Sequence, residues 1–287
     1  MDKNLRGYMA ELLGTFALVF VCAGAVCADK AMEKGLKTPL EWPVGIALAQ
    51  GLVLAVGLAA TLHLSGGYLN PAVTVTLWAC KRIDNGRTMA LIAVQLLGAA
   101  IAGGLVRFVF GDVDTVLRDC SLGTPHVNTR AVGVSGALNK WTQVRATAME
   151  AALTFILTFA IFATTIDPRA PKLLGRVGKW LVGLWVGLVQ VALVLVGFSF
   201  TGAAINPARW FGTVIWENSV DALKLAGPFR DAPVYVIGPL AGACLAGMAY
   251  SYLLLPPELE SAGATTSTAA GGKAAVGAGA GLSKSRK

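Results

Sequence analysis

Six apolar stretches, each about long enough to cross a bilayer, constrain this chain more than any other feature. They lie at about 7 to 28, 43 to 64, 88 to 106, 146 to 166, 180 to 200 and 233 to 255. A hydrocarbon core about 30 Å thick is crossed by roughly 20 apolar residues in α-helix, and in lipid a helix satisfies all of its backbone polar groups internally. Composition points the same way: 55% of residues are hydrophobic and 14% charged, against about 25% charged in a soluble domain, and the mean hydropathy is +0.64. The 34 glycines would each cost a soluble helix about 1 kcal/mol relative to alanine. Between helices in lipid they instead permit close approach. The expectation is an all-α membrane protein with six transmembrane helices and the lipid bilayer as its first partner.

The first stretch has the length of a signal peptide, but Glu11 interrupts it and no small-residue cleavage site precedes Asp29-Lys30, so it is expected to remain as a helix. Six spans put both termini on one side. Segments 1 to 6, 81 to 87 and 167 to 179 hold nine Lys and Arg in 26 residues, whereas 29 to 41, 107 to 145 and 217 to 232 hold ten in 68 together with nine acids. The positive-inside rule therefore makes the termini cytoplasmic, in the plasma membrane. The net charge of +8 forms no single stripe of the kind a phosphate backbone requires, so no nucleic-acid partner is expected. A single membrane domain is expected over 1–255, and 256–287, rich in Ala, Gly, Ser and Thr, is expected to be a disordered cytoplasmic tail. Five cysteines with no Cys-x-x-Cys argue against a disulfide framework or zinc site. No metal or cofactor is expected.

The chain repeats itself. Ala10-Glu11-Leu12-Leu13-Gly14-Thr15-Phe16 is echoed by Met149-Glu150-Ala151-Ala152-Leu153-Thr154-Phe155, an offset of 139. Ser65-Gly66 and Asn70-Pro71-Ala72 are echoed by Thr201-Gly202 and Asn206-Pro207-Ala208, an offset of 136. The copies occupy about 7–109 and 145–255 and hold three spans each. An odd number of spans forces the second copy to enter from the opposite side, which places the functional site near the midplane where the copies meet.

Each Asn-Pro-Ala reads as a helix start, with Asn as the N-cap and Pro at the first helical position. The helix that each motif begins is short: Pro71 to Cys80 and Pro207 to Trp216 are ten residues each, about 15 Å of helix or half a bilayer. Such backbone is tolerated at mid-membrane only when it is buried in protein or lines a watery cavity. Two re-entrant half-helices meeting N-terminus to N-terminus are the simplest arrangement. Their dipoles make the meeting point positive and repel cations, protons included. The side-chain oxygens of Asn70 and Asn206 are expected to cap their own helices, leaving each NH₂ to face the pore. Arg209 lies one turn beyond Asn206. An arginine in a span costs about 2.5–3.5 kcal/mol even on the lenient scale and so marks a function.

With these motifs in hand, the sequence resembles the aquaporin (major intrinsic protein) family. The resemblance rests on Ser65-Gly66-Gly67-Tyr68-Leu69-Asn70-Pro71-Ala72-Val73 and Thr201-Gly202-Ala203-Ala204-Ile205-Asn206-Pro207-Ala208-Arg209. It covers residues 7 to about 255, with Gln95-Leu96-Leu97-Gly98-Ala99 and Gly238-Pro239 as further matches. It implies an inverted-repeat aquaporin-like fold, a homotetramer with one pore per subunit, and passive flow of water or small neutral solutes. Its narrow filter falls on Gln50, twenty residues before Asn70, on Val194, twelve before Asn206, and on Ala203 and Arg209. Water-selective relatives carry an aromatic where Gln50 stands and His where Val194 stands, which implies an opening wider than one water, about 2.8 Å. Trp210 and Tyr235 look more like a water channel. Both a water channel that also passes glycerol, urea or hydrogen peroxide and a glycerol-type facilitator with water secondary therefore stand as readings.

The resemblance implies that Glu11 and Glu150 accept hydrogen bonds from the segments leading to the half-helices, with a proton relay as the lesser alternative. His63 is expected to anchor the first of those segments. Tyr68 stands at the cytoplasmic mouth where relatives commonly have His, which counts against histidine-based gating. Gln95 and Gln190 are most simply interhelical hydrogen-bond groups, with Gln190 also placed to line the pore. His126 lies in a loop and carries no signal. An enzyme lacks a Ser-His-Asp constellation here. An ion-coupled transporter also uses inverted repeats, but would need coupling-ion ligands.

Overall fold

The computed structural model describes residues 2–36, 43–111, 121–128, 140–170, 178–217 and 228–256. The tail expected over 256–287 and most of the 107–145 connection, including Cys120, lie outside the described residues.

Among the described residues, eight α-helices run in chain order. They are α1 (Lys3–Leu36), α2 (Pro43–Thr61), α3 (Pro71–Ala79), α4 (Asn85–Phe110), α5 (Lys140–Ile161), α6 (Gly178–Thr201), α7 (Pro207–Val214) and α8 (Ala232–Ala249). Six are long and apolar enough to cross a membrane, and no strand occurs among the described residues. The short pair, α3 and α7, are the two half-helices. α1 continues past its apolar stretch to Leu36, because the Ala, Met, Glu and Lys beyond the charged Asp29-Lys30 are good helix formers and the helix needs no lipid to continue.

The packing mirrors the repeat. α1 lies on α4 and α5 lies on α8, the same pairing in each copy, while α2 and α6 hold the two copies together. Each half-helix crosses to the other copy: α3 packs against α8, and α7 against α4. Small residues make these approaches possible. A methyl carbon at Gly51 would collide with the Gly187 carbonyl oxygen, and one at Gly187 with the Gly51 carbonyl oxygen, so α2 and α6 touch backbone to backbone. A methyl carbon at Gly103 of α4 would collide with the Gly212 carbonyl oxygen of α7, and one at Gly212 with the Ala99 carbonyl oxygen of α4. Interhelical attraction in lipid comes from such packing and from hydrogen bonds rather than from the hydrophobic effect. Many of the large apolar side chains point outward, among them Val56, Phe108, Trp185 and Leu188, as lipid-facing surfaces require.

Candidate functional site

The half-helices meet as their motifs imply. Asn70 caps α3 through Oδ1, which accepts from the Ala72 N–H at 2.9 Å, and Asn206 caps α7 by the same bond from Ala208 at 2.9 Å. Each side-chain NH₂ then reaches across the repeat: Asn70 Nδ2 donates to the Ile205 carbonyl at 3.1 Å and Asn206 Nδ2 to the Leu69 carbonyl at 2.7 Å. The expectation that the whole NH₂ faces the pore is thereby corrected. One of its two hydrogens holds the opposite loop and one remains to donate. The helices are also slightly shorter than the ten residues expected, nine for α3 and eight for α7, because their last residues tighten into turns.

Two buried carboxylates hold the loops in place. Glu11 Oε1 accepts from Ser65 Oγ at 2.6 Å and the Tyr68 N–H at 2.8 Å, and Oε2 from the Leu69 N–H at 2.7 Å and Gln95 Nε2 at 2.8 Å. Glu150 repeats the pattern, with Thr201 Oγ1 at 2.6 Å, the Ala204 N–H at 3.0 Å and the Ile205 N–H at 2.7 Å. Leu69 and Ile205 have φ of +50° and +58°, a left-handed conformation costly for any residue with a Cβ and most of all for a β-branched one. The carboxylates grip those two N–H groups, so they stabilise the strained turn that aims each Asn-Pro-Ala at the midplane. The oxygens of both acids are occupied by these bonds, as an anchor of the two loops requires. His63, expected to anchor the first loop, is exposed and makes no hydrogen bond to the described residues. Arg87 anchors there instead, donating from Nη2 to the Ser65 carbonyl at 3.0 Å. Arg87 was readable only as an inside charge, since nothing in the sequence ties it to a residue 22 positions earlier.

A small cavity opens at the meeting point, with about 20 Å³ accessible to the centre of a water, enough for a single molecule. Its lining retains the repeat. Leu18 and Leu157, Cys22 and Ile161, Leu54 and Gln190, Tyr68 and Ala204, Leu69 and Ile205, and Asn70 and Asn206 all line it, and each pair is separated by the 139- or 136-residue offset. Arg209 lines it without its counterpart Val73.

Of the four residues expected to form the narrow filter, Gln50, Val194, Ala203 and Arg209, only Arg209 is among those lining this cavity. Gln50, Val194 and Ala203 are fully buried and Arg209 is 2% exposed. Gln50 Nε2 and Oε1, and Arg209 Nε and Nη1, are buried without a partner among the described residues. Each such group costs about 1–3 kcal/mol, an expense packing alone does not explain.

His126, which carries no signal in the sequence, has a defined place in the structure. Its Nε2 lies 2.7 Å from Glu217 Oε1 and its Nδ1 3.6 Å from Asp231 Oδ2. Burial alone would lower its pKa, but the bonds to Asp231 and Glu217 outweigh that and push it up to about 9. The neighbouring Asn128 N–H donates to the Phe200 carbonyl at 2.8 Å. The segment 121–128 is thereby clamped onto the C-terminal end of α6, from which the loop that carries Ala203 departs. Among the described residues no three His, Cys, Asp or Glu side chains gather as metal ligands would.

Comparison with known proteins agrees with this geometry. The family model for major intrinsic protein matches residues 1–250. Aquaporin TIP4-4 of Zea mays is 40% identical over 251 residues, covering 88% of this chain and 87% of its own length. Aquaporin AqpM of Methanothermobacter thermautotrophicus is 32% identical, covering 85% and 96%. In fold, the chain is similar to the X-ray structure of the aquaglyceroporin from Plasmodium falciparum, with a TM-score of 0.71 at 22% identity over 90% of this chain and 99% of that one. An inverted repeat of three spans and a half-helix, two Asn-Pro-Ala motifs joined across the midplane and a family match over nearly all the described length lead to one conclusion: this integral membrane protein belongs to the major intrinsic protein family.

Proposed function

We propose that the protein is a passive channel for water that also passes small neutral solutes such as glycerol, urea or hydrogen peroxide and excludes protons and ions, without catalysis. The carrying observation is the pair of capped half-helices whose asparagine amides face one small cavity. A passing water or solute oxygen accepts hydrogen bonds there. The convergent helix N-termini and Arg209 set a positive potential that repels cations and hydronium.

Gln50, Val194, Ala203 and Arg209 act as the selectivity filter. Relatives named aquaporins support water as a permeant. The alternative, a facilitator for which water is secondary, is favoured by one observation: at the filter an amide and a valine stand in place of an aromatic and a histidine. We further propose a homotetramer, as the family resemblance implies, in the plasma membrane with both termini cytoplasmic; the Lys/Arg bias supports the orientation.

Stopped-flow shrinkage of proteoliposomes tests the reading. Channel-rate water flux with measurable glycerol or urea flux is expected. Water flux alone would remove the solute part, and flux that tracks an ion gradient would favour a coupled transporter.

A further inference from the structure

The central cavity has one polar wall in both halves: the re-entrant loops carry Asn70 and Asn206 on it. The wall supplied by the membrane-crossing helices is mostly hydrocarbon, with Leu18, Leu54, Leu157 and Ile161, plus the weak donor Cys22. Gln190 of α6 is the exception. It is 5% exposed, lines the cavity, and its Oε1 has no partner among the described residues. Its counterpart in the repeat is Leu54, each lying sixteen residues before its own Asn. Leucine therefore fits this register in one half, so an amide in the other half is a change of chemistry at nearly constant volume. A buried amide oxygen left unpaired is destabilising, which gives the position a reason to be apolar unless something that passes uses it.

We propose that Gln190 is a specificity-determining residue that gives the midplane cavity a second hydrogen-bonding wall. It thereby favours neutral solutes with a carbonyl acceptor at one end and N–H donors at the other, of which urea is the probe. The proposal rests on the channel reading and deepens it. Each asparagine has one N–H left to donate to the solute carbonyl. The Gln190 amide, whose terminal torsion is broad and two-fold, turns its oxygen to accept from the solute NH₂. Gln190 lies four residues before Val194, on the same face of α6, so a solute leaving the filter meets it one turn later. A urea molecule sheds more hydration than a water does on entering a single-file pore. Replacement of each lost hydrogen bond consequently matters more to urea than to water.

The test compares urea and water permeability in the same proteoliposomes for the wild type, Gln190→Leu and Leu54→Gln. Gln190→Leu should lower the urea-to-water ratio about five-fold, the factor that one neutral hydrogen bond is worth. Leu54→Gln, which adds a second amide at the equivalent register, should raise it. A ratio unchanged in Gln190→Leu overturns the proposal while leaving the channel reading intact. If Gln190→Leu vesicles carry no more water than empty ones, Leu54→Gln decides: a raised ratio supports the proposal and an unchanged one overturns it. Wild-type vesicles with channel-rate water flux but urea no faster than in empty vesicles overturn both this proposal and the solute part of the proposed function.

Discussion

At the scale of single residues, the site depends on a few side chains that each satisfy several backbone groups. Glu150 takes the N–H groups of Ala204 and Ile205 and the Thr201 hydroxyl, and Ile205 holds a strained φ of +58° under that grip. Glu150→Gln keeps the shape but turns an NH₂ toward N–H donors. It should cost roughly 3 kcal/mol, since charge-assisted bonds are lost and donors left unpaired. The expected outcome is a clearly lowered thermal midpoint in detergent, with water flux per incorporated copy down at least several-fold, and a variant as stable and active as the wild type would refute the anchoring role. The two acids and two asparagines were legible in the sequence because the repeat printed each of them twice. Arg87 and His126 were not, because each acts through a partner far away in the chain, Ser65 in one case and Glu217 and Asp231 in the other.

Among the helices, the decisive contacts are backbone to backbone. Gly51 and Gly187 bring α2 against α6 with no room for a side chain at either position, and these two helices carry Gln50, Gln190 and Val194. A leucine at Gly51 must push the helices apart, which overpacking data place at about 1–3 kcal/mol or more. Gly51→Leu is thus expected to lower both stability and water flux, whereas Gly24→Leu, at a position with nothing within 4 Å of an added Cβ, should change neither appreciably. Stopped-flow flux and thermal unfolding on the pair check this. Span existence was readable from apolar length, and half-helix length nearly so. Helix ends were less readable: α1 runs on to Leu36 because intrinsic propensity, not lipid, governs a helix once it has left the bilayer.

Taken whole, the molecule is two copies of one unit facing opposite ways, and its function lies where they differ. The segment 121–128 closes one end of the second copy through His126, clamped between Glu217 and Asp231, with Arg230 beside Asp231. Its folded pKa of about 9 lies above the ordinary 6.5, so the cationic clamp contributes fully below pH 6.5 and is lost as pH rises through 9. Because the side chain is 31% exposed, the contribution is of order 2 kcal/mol after allowing for screening. The thermal midpoint is expected to fall by several degrees between pH 7 and 10, and by less in His126→Ala; equal falls in both would remove the clamp. The spans, their reversal in the second copy and the midplane meeting point come from the linear pattern of residues, because apolar length and a repeated motif are local, whereas the roles of the paired acids came from the family resemblance. Packing in three dimensions was needed to learn that each asparagine shares its amide with the opposite loop, that Gln50 and Arg209 are buried with polar atoms unpartnered among the described residues, and that Gln190 and Leu54 line one cavity. Those facts depend on where side chains from distant segments come to rest against one another, and a linear spacing carries no information about that.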